Sequence, residues 1–92
     1  MRKIAALAET FEMEIIPHHA KGNIGAVAQL HLIATWPHSP YLEILHDPPI
    51  ADYRTVMAIF KDPPRVDSEG KVAVPQGPGL GVELNPDLVV EG

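Results

Sequence analysis

Apolar positions follow helical spacing in two stretches of the first half of the chain. Within residues 2–11, the i, i+3, i+4, i+7 spacing of one helix face is occupied by Ile4, Leu7, Ala8 and Phe11. A second helix is predicted over residues 24–36, because Asn23 is a suitable N-cap and Pro37 cannot continue a helix. This second stretch is apolar almost all round, so we expect it to be largely buried.

Two short apolar runs are predicted as strands, at residues 14–17 and 41–45. With the two helices they give the order helix, strand, helix, strand, joined by short loops. That order is typical of a parallel sheet with a crossover helix. Because two parallel strands are too few for a stable sheet, the pattern predicts an α/β fold that is a slice of a larger structure.

Prolines and glycines crowd into the second half, which is predicted to consist of turns between short elements. Strands are predicted at residues 70–75 and 80–84, on either side of a turn at 76–79. Residues 53–60 are either a short helix or an irregular segment. A further helix is predicted to begin at Asn85, an N-cap that is followed by a proline at the first helical position.

The composition excludes several classes of protein. The chain has 92 residues, enough for one small domain, and its net charge of −5 offers no attraction to nucleic acid or to an anionic membrane. We therefore expect neither as a partner. No run approaches the roughly 18 apolar residues of a membrane-spanning helix. There are no cysteines, so no disulfide or thiolate chemistry is available, which fits a cytoplasmic location.

Two sites in this pattern carry residues that suit catalysis. His18 and His19 follow the first predicted strand, at the strand-to-helix loop where active sites of parallel α/β proteins form. An exposed loop without a catalytic role is the alternative. Glu43 lies inside the second apolar strand, where a buried carboxylate needs a partner or a ligand. For Glu43 the alternative is the exposed face of an edge strand.

The remaining histidines are predicted to have structural or surface positions. His31 lies within the apolar helix and is expected to pack in the core with one nitrogen hydrogen-bonded, while His38 is expected in an exposed loop and His46 at the end of the second strand. The chain has no His-Glu-x-x-His motif and no Cys/His cluster, so the spacing does not support a histidine-ligated metal site. The glycines at 77–81 lack the Lys-Ser/Thr ending of a phosphate loop and are predicted to form a turn.

Three stretches, taken in order, resemble one family. They are Ile16-Pro17-His18 with the following Gly22, Ile24, Gly25 and Leu30-His31-Leu32; Glu43, 25 residues after His18; and residues 74–82, VPQGPGLGV. All three resemble the mandelate racemase group of the enolase superfamily. The stretch around His18 resembles the seventh barrel strand and its following helix, and Glu43 resembles the eighth-strand glutamate. Residues 74–82 resemble the C-terminal signature of the group.

The resemblance implies a modified (β/α) TIM barrel with an α+β capping domain. Residues 1–47 would be the last βα units of the barrel, and residues 48–92 the segment that returns to the capping domain. The implied reaction is proton abstraction α to the carboxylate of a small carboxylate or sugar acid, with Mg²⁺ stabilising the enediolate. His18 would be the general acid/base, with His19 as second choice, and Glu43 would donate a hydrogen bond to the developing enediolate.

The family's other catalytic groups belong to earlier barrel strands than those present here. These groups are the magnesium ligands, a lysine and the aspartate that orients the histidine. The resemblance therefore implies a C-terminal fragment of an acid-sugar dehydratase, of the galactonate type, or of a racemase, inactive alone. It implies Mg²⁺ in the full-length family and none bound by this chain. The missing N-terminal portion or further copies of the chain would be its partners. The alternative function is a non-enzymatic small domain or accessory subunit that packs on a partner chain.

Overall fold

The computed structural model describes residues 1–19 and 23–88. Its regular elements are the helices α1 (Arg2–Thr10), α2 (Ile24–Ala34) and α3 (Tyr53–Val56) and the 3₁₀ helices Met57–Ile59 and Pro86–Leu88. The described residues contain no strand longer than a single bridge. The antiparallel bridges pair Asp47 with Ala51, Phe60 with Leu84, and Val66 with Val72.

The helices of the first half confirm the predictions made from apolar spacing. In α2 the side chain of Asn23 accepts a hydrogen bond from the Gly25 amide at 3.0 Å, so the predicted N-cap is present. The helix ends at Ala34, before Pro37, as the missing amide of a proline requires. None of the helices in the described ranges is long and apolar enough to cross a bilayer.

The core lies between α2 and the segment that contains α3. It is formed by Ala26, Val27, Tyr53, Met57 and Phe60, with Ile44, Ile59, Leu80 and Val82 packed against it. Val27 is the most deeply buried of these, at 1% exposure. The core thus joins residues from both predicted segments, 1–47 and 48–92. The boundary between those segments stays a prediction.

The predicted strands at 14–17 and 41–45 are not formed as strands in this chain. A parallel strand needs neighbours for its backbone groups, and the described residues supply none. The Ile15 amide instead donates to the His38 carbonyl at 3.0 Å, and the Ile15 carbonyl accepts from the Ser39 hydroxyl at 2.6 Å. The first segment is therefore held by the loop after α2.

The second half is more irregular than predicted. The predicted strands at 70–75 and 80–84 are reduced to one bridge each, at Val72 and Leu84. Residues 53–60 take the helical alternative, as α3 and a 3₁₀ turn. The helix predicted after Asn85 begins as a 3₁₀ helix in which the Asp87 amide donates to Asn85 Oδ1 at 3.1 Å, and its continuation lies outside the described residues.

The two segments that were predicted as strands each have a covered side and an exposed side. Along 14–18, Ile15 and Pro17 are buried, whereas the residues between and beside them are exposed. Along 41–45 every second residue is half-buried and the others are exposed. We call the exposed side the open face; it consists of Glu14, Ile16, His18, Tyr41, Glu43 and Leu45.

The chain exposes more surface than a compact protein of its mass. Its accessible surface is 6849 Å², against about 5200 Å² for a folded 10 kDa monomer. Part of this excess accessible surface comes from the apolar side of α1 and the residue that follows it, since Leu7 is 61% exposed and Phe11 is 68% exposed. Ile16, Tyr41 and Leu45 on the open face contribute as well. These apolar side chains have no covering layer among the described residues.

Candidate active site

The structure brings His18 and Glu43 together on the open face. The imidazole Nδ1 is 2.5 Å from Glu43 Oε1, and the side chains are 79% and 41% exposed. Glu43 is therefore exposed, which was one of the two alternatives, and it has a partner. Because the pair faces solvent, a small molecule can reach it.

The contact determines which imidazole nitrogen is available for proton transfer. An ionised carboxylate only accepts hydrogen bonds, so His18 Nδ1–H donates to Glu43 and the lone pair stays on Nε2. A carboxylate on one nitrogen holds the ring in a single tautomer and orientation. This arrangement suits general acid–base chemistry at Nε2.

His19 lies on the other side of the segment, against the start of α2. Its Nε2 is 2.9 Å from the side-chain oxygen of Asn23. An amide oxygen accepts only, so the Nε2 proton of His19 is used in this bond. Of the two adjacent histidines, His19 is thus the one whose Nε2 is bonded to Asn23, and the choice of His18 as the acid/base stays a prediction.

The other histidines are placed partly as predicted. His31 is half-buried and its Nε2 donates to the Leu80 carbonyl at 2.6 Å, which confirms the predicted packing position. The expectation of an exposed loop is wrong for His38. That loop folds back on α1, where His38 Nε2 donates to the Ala5 carbonyl at 2.9 Å and Nδ1 is buried.

An acidic group that the sequence analysis did not single out lies beside His46. Asp52 accepts from the Arg54 guanidinium at 2.7 and 3.0 Å and from the Arg54 amide at 2.9 Å. These hydrogen bonds, led by the guanidinium, lower the pKa of Asp52 to about 2. His46 Nδ1 is 3.6 Å from the same carboxylate. The available signal was an aspartate directly before a helical segment, the ordinary N-cap position.

A metal site is not formed by the described residues. Within 1–19 and 23–88, no group of three or more His, Cys, Asp or Glu side chains is placed to hold a metal ion. The Mg²⁺ implied by the family resemblance therefore has no ligand set in this part of the chain.

A cavity of about 560 Å³ is lined by the residues on either side of Glu43, and by Tyr41 of the open face, but not by His18 or Glu43. It is open to solvent between α2 and the segments around residues 39–44 and 70–74. Its walls are mainly apolar, from Leu30, Ile33, Leu42, Ile44 and Val72. The cavity contains none of the predicted catalytic residues, so the candidate site is the open face.

Three curated relatives of this chain are named as sugar-acid dehydratases. A putative L-rhamnonate dehydratase from Caldivirga maquilingensis is 39% identical over 92 residues, covering 98% of this chain and 22% of the relative. A D-gluconate dehydratase from Thermoproteus tenax is 37% identical over 83 residues, covering 90% and 16%. An arabinonate dehydratase from Saccharolobus solfataricus is 32% identical over 92 residues, covering 99% and 23%. The chain thus spans about a fifth of the length of the curated relatives it matches.

A solved structure and a family model agree with these relatives. The crystal structure of an enolase of the mandelate racemase subgroup from Agrobacterium tumefaciens superimposes with a TM-score of 0.68 at 33% identity, covering 94% of this chain and 22% of that one. Residues 1–88 match the family model described as enolase C-terminal domain-like, a TIM-barrel-type α/β domain. The chain belongs to the enolase C-terminal domain-like family.

Proposed function

We propose that the chain supplies the His18–Glu43 half of an acid-sugar dehydratase active site and is inactive alone. The observation that carries the proposal is the 2.5 Å contact between His18 Nδ1 and Glu43 Oε1 on an open face. The names of the relatives support dehydration over racemisation, since they are dehydratases of rhamnonate, gluconate and arabinonate. In this proposal residues 1–47 are the last barrel units and residues 48–92 the segment that returns to the capping domain.

In the proposed reaction, the described side chains transfer a proton and donate hydrogen bonds. Dehydration breaks the C–H bond α to the carboxylate and the C–O bond of the neighbouring hydroxyl, and it releases water. His18 Nε2 carries a proton to the departing hydroxyl or takes one from carbon. In this step Glu43 carries a proton on Oε2 and donates it in a hydrogen bond to the carboxylate oxygen as negative charge develops there, while Oε1 still accepts from His18 Nδ1–H. No step is assigned to Mg²⁺, because these residues offer it no ligand set.

The exposed surface supports a requirement for further protein. The chain exposes about 1600 Å² more than a compact monomer of its mass, which is about twice the surface that one partner contributes to a standard protein–protein interface. The same surface supports the alternative function, an accessory domain that packs on a partner chain without catalysis. The two functions differ in whether the His18–Glu43 pair is needed.

The test is a fusion in which this chain replaces the residues of arabinonate dehydratase that it matches. We expect the fusion to convert an acid sugar to its 2-keto-3-deoxy product, measured by semicarbazide absorbance. The 92-residue chain alone should form none. His18→Ala should lower kcat of the fusion by at least about 100-fold, the usual contribution of general acid–base catalysis. Glu43→Ala removes the hydrogen-bond donor and should lower kcat by at least about 100-fold as well.

A second fusion serves as the matched control. It carries the corresponding segment of D-gluconate dehydratase, a segment that comes from a relative named as a dehydratase. An inactive fusion with this chain beside an active control fusion would contradict the proposal. Activity that survives both His18→Ala and Glu43→Ala would favour the accessory domain.

A further inference from the structure

The loop that carries His18 is anchored at the residue next to it. The His19 ring lies half-buried, with Nε2 2.9 Å from Asn23 Oδ1. The same oxygen accepts the Gly25 amide at 3.0 Å. A single amide oxygen therefore caps α2 and holds the His19 ring.

Gly25 provides the space that this ring occupies. A Cβ at position 25 would lie 2.8 Å from His19 Cε1 and 3.1 Å from Asn23 Oδ1. Carbon atoms that are not bonded normally stay about 3.5–4.0 Å apart, so any side chain here would displace the imidazole. Alanine stabilises a helix by about 1 kcal/mol relative to glycine. Helix formation therefore does not account for the glycine, whereas the contact with His19 does.

We propose that His19, Asn23 and Gly25 form a positioning unit that directs His18 onto Glu43. Exposure alternates along this segment, so adjacent side chains point to opposite sides, as in a strand. Holding His19 against α2 thus directs His18 to the open face. The role in catalysis rests on the proposed function, but the geometry can be tested without it.

The unit gives the two adjacent histidines opposite tautomers. His19 donates from Nε2 to an amide oxygen, and His18 donates from Nδ1 to a carboxylate, because each acceptor can only accept. Free neutral imidazole favours the Nε2–H form. The Nδ1–H form at His18 therefore reports that its ring is held on Glu43.

The experiment measures imidazole ¹⁵N chemical shifts in the full chain at about pH 8.5, where ordinary imidazole is neutral. Asn23→Ser and Asn23→Asp are compared, since serine and aspartate both cap helices well. Aspartate keeps an oxygen within reach of His19, whereas the shorter serine does not. We expect Asn23→Asp to retain Nδ1–H at His18 and Asn23→Ser to lose it, with the amide signals of α2 preserved in both.

A second pair of variants separates the ring contact from helix capping. Gly25→Ala should keep α2 and lose Nδ1–H at His18, because the added methyl group displaces the His19 ring. Gly77→Ala is the matched control, since its Cβ would meet no atom closer than 3.4 Å. It should leave the His18 signal unchanged.

Retention of Nδ1–H at His18 in both Asn23→Ser and Gly25→Ala would overturn the proposal. The proposal would also be overturned if Asn23→Asp lost the Nδ1–H signal of His18 as completely as Asn23→Ser. Glu43→Ala serves as a control on the readout, because it removes the acceptor of the His18 Nδ1 proton. It should therefore change the His18 signal and leave Nε2–H at His19. The experiment measures the position of a proton on the imidazole ring. Its result therefore does not depend on whether the dehydratase fusion is active.

Discussion

Two glycines of the C-terminal signature share a backbone conformation and differ in their surroundings. Gly79 has φ +63° and Gly81 has φ +77°, both in the left-handed region that L residues rarely adopt. A Cβ at Gly79 would meet nothing within 4 Å. A Cβ at Gly81 would lie 2.6 Å from Pro75 Cβ and 2.8 and 2.9 Å from the Pro75 backbone carbon and oxygen. Alanine at the two positions therefore separates backbone strain from a steric clash.

The expected magnitudes follow from these distances. Alanine in the left-handed region costs about 1–2 kcal/mol at either position. At Gly81 the contacts fall about 1 Å short of normal separation, and two of the three atoms are backbone, which cannot rotate away. Overpacking of this kind adds about 1–3 kcal/mol. Gly81→Ala should therefore destabilise the chain by about 1–3 kcal/mol more than Gly79→Ala.

Thermal and urea unfolding followed by fluorescence of Trp36, the only tryptophan, measures this difference. In a chain of this size 1 kcal/mol corresponds to about 4–8 °C in Tm. Gly81→Ala should also weaken the hydrogen bond from His31 to the adjacent Leu80 carbonyl, visible in the His31 ¹⁵N shifts. Equal Tm values for Gly79→Ala and Gly81→Ala would refute the packing of this loop on Pro75.

Further variants test the core, the acidic cluster and α1. Val27→Ala removes two buried methyl groups and should cost about 2 kcal/mol, whereas Val56→Ala, at a 42% exposed position, should change stability by under about 0.5 kcal/mol in urea unfolding. The pKa of Asp52 is held at about 2 by Arg54, below its ordinary 3.8, so its ionised form stabilises the fold above about pH 4 and that contribution is lost as pH falls towards 2. Asp52→Asn should flatten the fall in Tm over this range. Leu7→Lys, at a 61% exposed position, should leave the Tm of the chain within a few degrees and lower that of the dehydratase fusion.

Helix ends were predictable because their signals are local. The cap at Asn23 and the stop before Pro37 depend on residues within one turn of the helix. The strands could not be predicted in the same way, because pairing depends on neighbours distant in sequence or in another chain. Ile15 shows the effect, since its backbone groups bond to the loop at 38–39 when no strand is beside it. His38 was wrongly placed for a related reason, because its loop is covered by α1.

The candidate site was predictable only in part. Apolar spacing identified Glu43 as a carboxylate that needs a partner, and the loop position identified the adjacent histidines. Nothing in the spacing indicates that His18 and Glu43 meet. The family resemblance implies that both belong to one active site, and the structure places them in contact. The pairing of Asp52 with Arg54 depends on the backbone turn at the start of α3, which apolar spacing does not predict.

The division between covered and open sides explains where a positioning unit is needed. Ile15 and Pro17 are buried, so packing already holds the covered side of the first segment. On the open face His18 is 79% exposed, and its imidazole contacts Glu43. A side chain that is exposed to this extent is positioned mainly by its own backbone, and the backbone next to His18 is held by His19. The precision of the exposed pair therefore comes from the covered side, through the contact of His19 with the start of α2.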